Sequence, residues 1–159
     1  MPILRSVSGK RLTAAGVALA TLCIVAAASG RPTPPRGHTC SATDRQFISV
    51  AQLNMASLGA WSQDYINGDA DGADLVAEAH RAQKRVGATS PSDPSLTQTR
   101  ALMLAMFGEY ARAIQAKEHD KESGHYIFRA YGLANFAHDV LVQAKPALLA
   151  RGCNIAPLL

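Results

Sequence analysis

What this chain lacks narrows it most. None of its 159 residues builds a G-x-S-x-G elbow, a P-loop, an H-E-x-x-H helix or a G-x-G-x-x-G turn. The usual signatures of serine hydrolysis, phosphate cradling, zinc proteolysis and dinucleotide binding are therefore absent. Almost no segment alternates apolar and polar residues with period two, which argues against a sheet-based fold. There is no repeat at a fixed period, and no low-complexity block beyond alanine enrichment. No stripe of Lys and Arg interleaved with aromatics occurs, so nothing points to nucleic acid.

The clearest signal present is at the N-terminus. Arg5, Lys10 and Arg11 precede the uncharged run LTAAGVALATLCIVAAASG at residues 12–30. Its end is built of small residues, as before a signal-peptidase cut. Residues 1–30 are expected to be a secretory signal peptide, with the mature chain starting at Ser29 or Arg31. The alternative is an uncleaved anchor, since the run approaches the ~20 residues that a membrane span needs. Cys23 follows Leu22 inside the apolar run rather than at its end, which speaks against a lipid-accepting role. The whole chain has 16 Lys and Arg against 12 Asp and Glu, or +4. Three of the bases lie in the leader, leaving 13 against 12, or +1. The basic character thus belongs to targeting.

Without the leader, Cys40 and Cys153 remain. An even pair in an exported chain suggests one disulfide. Residues 31–37, RPTPPRG, exclude a helix by their three prolines. Residues 31–39 are read as an extended linker, 40–153 as one domain and 154–159 as a tail.

Four helices are expected in that domain. The first starts near Ser41 or Thr43, with Thr43 as a plausible cap, and stops at Asn67-Gly68. It carries Phe47, Val50, Ala51, Leu58, Trp61 and Tyr65 at helical spacing. The second spans about 73–86 with a narrow stripe of Leu75, Ala79, Ala82 and Val86. The third opens on Asp93-Pro94, a cap followed by proline at the first helical position. Leu96, Thr99, Met103, Met106, Tyr110 and Ala113 form its face. The fourth runs from about residue 122 to 144, with Ile127, Ala130, Tyr131, Ala134, Ala137 and Leu141 on one side, and Pro146 kinks or ends it. Four amphipathic helices with short connections imply an all-α, antiparallel up-down-up-down four-helix bundle. Such a bundle brings Cys40 and Cys153 to the same end, where one disulfide closes it.

Two stretches carry candidate chemistry. NGDADGADLVAE, residues 67–78, resembles the calcium-binding loop of the EF-hand family over these twelve residues. Asn67, Asp69, Asp71 and Glu78 take ligand positions one, three, five and twelve, and Gly72 takes the sharp-turn position. The resemblance implies a weak extracellular-type calcium site. Asn67 stands where Asp is usual, Asp74 and Leu75 depart from the pattern, and no second loop follows. The same letters also spell a capped turn, with Asn67-Gly68 ending one helix and Asp71 starting the next. The second stretch, EHDKESGH, gathers His119, Glu122 and His125 as candidate ligands for zinc or copper. Its other reading is a polar inter-helix turn. His80 and the His138-Asp139 pair stand alone. Tyr110, Tyr126 and Tyr131 could line a cleft or fill a core.

The function expected from these residues is that of an exported, extracytoplasmic helical module. It would bind, sense or scaffold without catalysis. Metal binding through residues 67–78 is the alternative, and an enzyme with a site invisible in sequence is the second. The partner would be a protein or a small molecule. No cofactor beyond weak calcium is implied, and membrane contact comes only through an uncleaved leader.

Overall fold

The computed structural model describes residues 39–159. The expected signal peptide, Cys23 and the proline-rich linker up to residue 38 lie outside the described residues. Four helices follow: α1 (Ala42–Asn67), α2 (Gly72–Gly87), α3 (Pro94–Glu118) and α4 (Gly124–Ala150), then a short 3-10 turn at Ala156–Leu158. Among the described residues there is no strand.

Local chemistry sets the helix ends. Ser41, not Thr43, caps α1, because its hydroxyl accepts from the Asp44 N–H at 3.0 Å. Gly68 ends α1 at φ 82, and the N–H groups of Gly68 and Asp69 close onto the Tyr65 and Asp64 carbonyls. A left-handed residue of this kind favours glycine. Asp93 caps α3 by accepting from the Ser95 and Leu96 N–H groups. The α2 C-terminus is finished from α3, where the Arg100 guanidinium donates to the Val86 and Gly87 carbonyls.

α2 packs on α1 and α3, and α3 packs on α4. The expected α2 stripe lies wholly in the core, since Leu75, Ala79, Ala82 and Val86 are all fully buried. Small side chains there let the neighbouring helices approach closely. Phe47 of α1 and Leu96, Thr99 and Phe107 of α3 are also fully buried. α4 runs on through Pro146 to Ala150, beyond its expected end. One proline removes one internal hydrogen bond. Here the following turn is fixed by the fully buried Leu148, whose carbonyl accepts from the Cys153 N–H at 2.9 Å. Past Cys153 the chain stays in the core, because Ile155 is fully buried and Ala156–Leu158 lies against α1.

Cys40 and Cys153 stand at disulfide distance, with sulfurs 2.08 Å apart and Cα atoms 5.0 Å apart. The Cys40 N–H donates to the Arg151 carbonyl at 2.8 Å. Beside them the buried Asp44 carboxylate accepts from the N–H of Ser92 at 2.7 Å, the N–H of Asp93 at 3.0 Å and the Ser92 hydroxyl at 2.9 Å. Arg151 in turn pairs with Asp93. The start of α1, the α2–α3 connection and the end of α4 therefore meet. The opposite end is tied more lightly, by the Tyr65 hydroxyl donating to Glu118 at 2.7 Å.

Burial opposes the charge on Asp44, yet the donors from Asp93, Ser41 and Ser92 outweigh it and hold the carboxyl below its ordinary value. Folding lowers this pKa, so its contribution is complete above the unfolded value near ~4 and drains away as pH falls through the native one. Thermal melts should therefore be level near neutrality and fall below pH ~4. Asp44→Ala should cost roughly 2–3 kcal/mol at neutral pH by leaving several buried donors unpaired, and should flatten part of the acid slope.

Candidate binding groove

The α4 stripe expected in the core divides in two. Ala130, Ala137 and Leu141 are buried, but Ile127 is 40% exposed and Tyr131 68%. The reason is the path of α1, which packs on α2 and leaves the upper half of α4 uncovered. Between α1 and α4 lies a groove of about 320 Å³. Its buried members are Leu58, Met106 and Ala130, and its exposed rim is Met55, Ile127 and Tyr131. Such a volume sits at the small end of ligand cavities.

One polar pair interrupts the apolar lining. The Ser62 hydroxyl lies 2.6 Å from the Leu58 carbonyl and 2.8 Å from the Tyr110 hydroxyl. A serine has one proton to give, and the carbonyl can only accept. Ser62 therefore donates to Leu58, and Tyr110 donates to Ser62. The capacity left over is the acceptor side of the Tyr110 phenol. The groove thus offers apolar walls, the acceptor side of the Tyr110 phenol inside and the Tyr131 phenol at the exposed rim, which suits an apolar ligand carrying a hydroxyl or N–H.

Gly59 also lines the groove, in the middle of α1, and a Cβ built there would meet nothing within 4 Å. A glycine in mid-helix costs ~0.5–1 kcal/mol relative to alanine. No packing within the described residues requires it. Sequence reasoning passed over Gly59 and Ser62. The only available signal was an uncapped glycine inside a strong helical pattern.

The other candidate residues are differently placed. Asn67 ends α1, Asp69 lies in the turn, and Asp71 caps α2 by accepting from the Asp74 N–H at 2.7 Å. Gly72 is already the first residue of α2, and its missing side chain is explained by Glu118, with which a Cβ would collide. Glu78 lies six residues into α2, buried, accepting from the Ser57 hydroxyl at 2.7 Å and from Arg81 at 2.8 Å. Burial works against its charge, but Ser57, Arg81 and Arg85 together keep its pKa below the ordinary value. The structure thus does not bring Glu78 to the three loop residues. His119 caps the end of α3, and Glu122 and His125 are exposed, with the His125 ring against Tyr126. Among the described residues the one triad of metal-ligand types within 4.8 Å is Cys40, Asp44 and Cys153. Its sulfurs are spent on each other and its carboxylate on Ser92 and Asp93. Tyr110 and Tyr131 share the groove, while Tyr126 does not line it. No helix of the described residues is long and apolar enough to cross a membrane.

No family model, curated protein or solved structure matches this chain.

Two outcomes follow from this geometry. Gly59→Ala should raise stability by about 0.5–1 kcal/mol in denaturant melts, because helix propensity improves and nothing is displaced. Millimolar calcium added to chelator-treated protein should leave Tm unmoved, since the twelfth-position carboxylate is held by Ser57 and Arg81. A clear rise would show that the loop rearranges around the ion.

Proposed function

We propose that this protein is an exported, non-catalytic binding module, and that the groove between α1 and α4 takes a small apolar ligand bearing one hydrogen-bond donor. In this reading residues 1–30 direct export and are removed, and the four helices run up-down-up-down. The pairing of Cys40 with Cys153 is compatible with an oxidising compartment. The observation that carries the reading is the apolar groove beside Gly59, with the acceptor side of the Tyr110 phenol inside it and the Tyr131 phenol at its exposed rim. Apolar walls supply affinity through area removed from water, and one polar atom fixes orientation. Nothing in the groove provides a nucleophile beside a base, so the geometry supports binding and release rather than turnover.

Fluorescence titration with 2-naphthol, and competition by naphthalene, tests this. The protein should bind 2-naphthol more tightly than naphthalene. Tyr110→Phe should weaken 2-naphthol about fivefold, the worth of one hydrogen bond near 1 kcal/mol, while leaving naphthalene unchanged. Gly59→Leu should fill the groove and abolish both without loss of fold by circular dichroism. Binding that survives Gly59→Leu, or no binding by the parent protein, would remove the groove as the working surface.

A further inference from the structure

Methionine is scarce in this chain, yet it is gathered in one place. Four are present, and apart from Met1 they are Met55, Met103 and Met106. Met55 stands on α1, and Met103 and Met106 stand three residues apart on α3, which puts them on the same face. All three line one cavity of about 240 Å³, closed on its other sides by α4 and the C-terminal turn. His138 of α4 lines the same cavity. Met103 and Met106 are buried, at 5% and 7%, and form its floor. Met55, 40% exposed, and the exposed His138 stand at its mouth.

The rest of the lining narrows the chemistry. No Asp, Glu, Lys or Arg side chain takes part in it. The one hydroxyl, Thr99, is buried and donates to the Ser95 carbonyl at 2.9 Å. The remaining side chains are those of Ala, Leu and Pro. The cavity therefore offers three neutral thioethers and one imidazole. Calcium and magnesium demand oxygen ligands, and no free side-chain oxygen faces them here. Thioether sulfur is soft and selects Cu(I). Desolvating a monovalent ion among neutral ligands also costs far less than desolvating a dication, because the Born cost grows with the square of the charge.

We propose that Met55, Met103, Met106 and His138 form a binding site for Cu(I). The ion enters from solvent between Met55 and His138 and settles on the two buried sulfurs. Three rotatable bonds let each methionine turn its sulfur onto the ion while the helices stay in place. His138 binds as neutral imidazole, through one ring nitrogen. Packing alone does not select methionine here. Leucine fills nearly the same volume, and the core uses it freely, as at Leu75, Leu96 and Leu148. What the three methionines add is sulfur. The cavity borders the groove and shares Met55 and Met106 with it, but Met103 and His138 line the cavity alone. The copper site and the groove can therefore be tested apart.

The full chain carrying Cys23→Ser serves for the test, so that no thiol outside the Cys40–Cys153 pair competes. Exported, purified and titrated without oxygen against Cu(I) bicinchoninate in ascorbate, it should withdraw one equivalent of Cu(I). Met103→Leu and His138→Asn should each weaken Cu(I) by about tenfold or more, since even outer-shell changes at metal sites cost that much. Circular dichroism and 2-naphthol binding should stay unchanged in both. His125→Asn, an exposed histidine outside the cavity, should leave copper binding intact. X-ray absorption at the copper edge should show sulfur neighbours, fewer in Met103→Leu. No withdrawal of copper by the parent protein would overturn the proposal. So would copper held equally well by Met103→Leu and His138→Asn, or a copper edge showing only nitrogen and oxygen neighbours. A protein that takes copper and ignores 2-naphthol would sustain the site and remove the groove alone.

Discussion

The fold turns on a buried carboxylate. Asp44 sits in the first turn of α1, where an acidic side chain would ordinarily face solvent and the helix dipole. Instead it accepts from the Ser92 and Asp93 N–H groups and the Ser92 hydroxyl, and so fastens α1 to the α2–α3 connection. Asp93 passes the constraint on. Its backbone binds Asp44, one carboxylate oxygen caps α3, and the other meets Arg151 at the end of α4. The disulfide fixes Cys40 and Cys153 over the same spot. Charged groups that share partners in a buried network stiffen one another, and losing one exposes the rest.

That concentration at one end explains the opening at the other. α1 and α4 are held together where Cys40 meets Cys153. Farther along, α1 is bound sideways to α2, through Ser57 and Glu78 among others. Among the described residues nothing comparable draws it to α4. The groove occupies the half of the molecule remote from the disulfide, with Met55 to Ser62 on one side and Ile127 to Ala134 on the other. Its width is thus a consequence of where the hydrogen-bonding capacity was placed.

Much of the local structure was legible in the residues. Asp93-Pro94, Asp71 and Asn67-Gly68 mark helix ends because capping and positive φ are decided within a few residues. The α2 stripe and the cysteine pair were equally plain. Three features were not. Asp44 reads as an ordinary first-turn acid, since its partners lie 48 and 49 residues away. Glu78 fits position twelve of a calcium loop and equally an i, i+3 pair with Arg81, and only the packing of α1 against α2 separates them. Ile127 and Tyr131 share the period of the buried α4 residues, and periodicity reports a face without saying whether a neighbour covers it.

The helix glycines carry the last step. α1 and α4 are long helices in which Gly59 and Gly132 each forgo ~0.5–1 kcal/mol of propensity. At Gly72 the loss has a local cause, the Glu118 side chain lying against it. At Gly59 and Gly132 there is none among the described residues, because none of their atoms lies within 4 Å of where a Cβ would stand. Both border exposed apolar surface, Gly59 beside the groove and Gly132 one turn from the exposed Phe128 and Phe136. An isolated monomer would be more stable with alanine at either site. Periodicity places these glycines on their helices, but only the packed structure separates the one with a local cause, Gly72, from the two without.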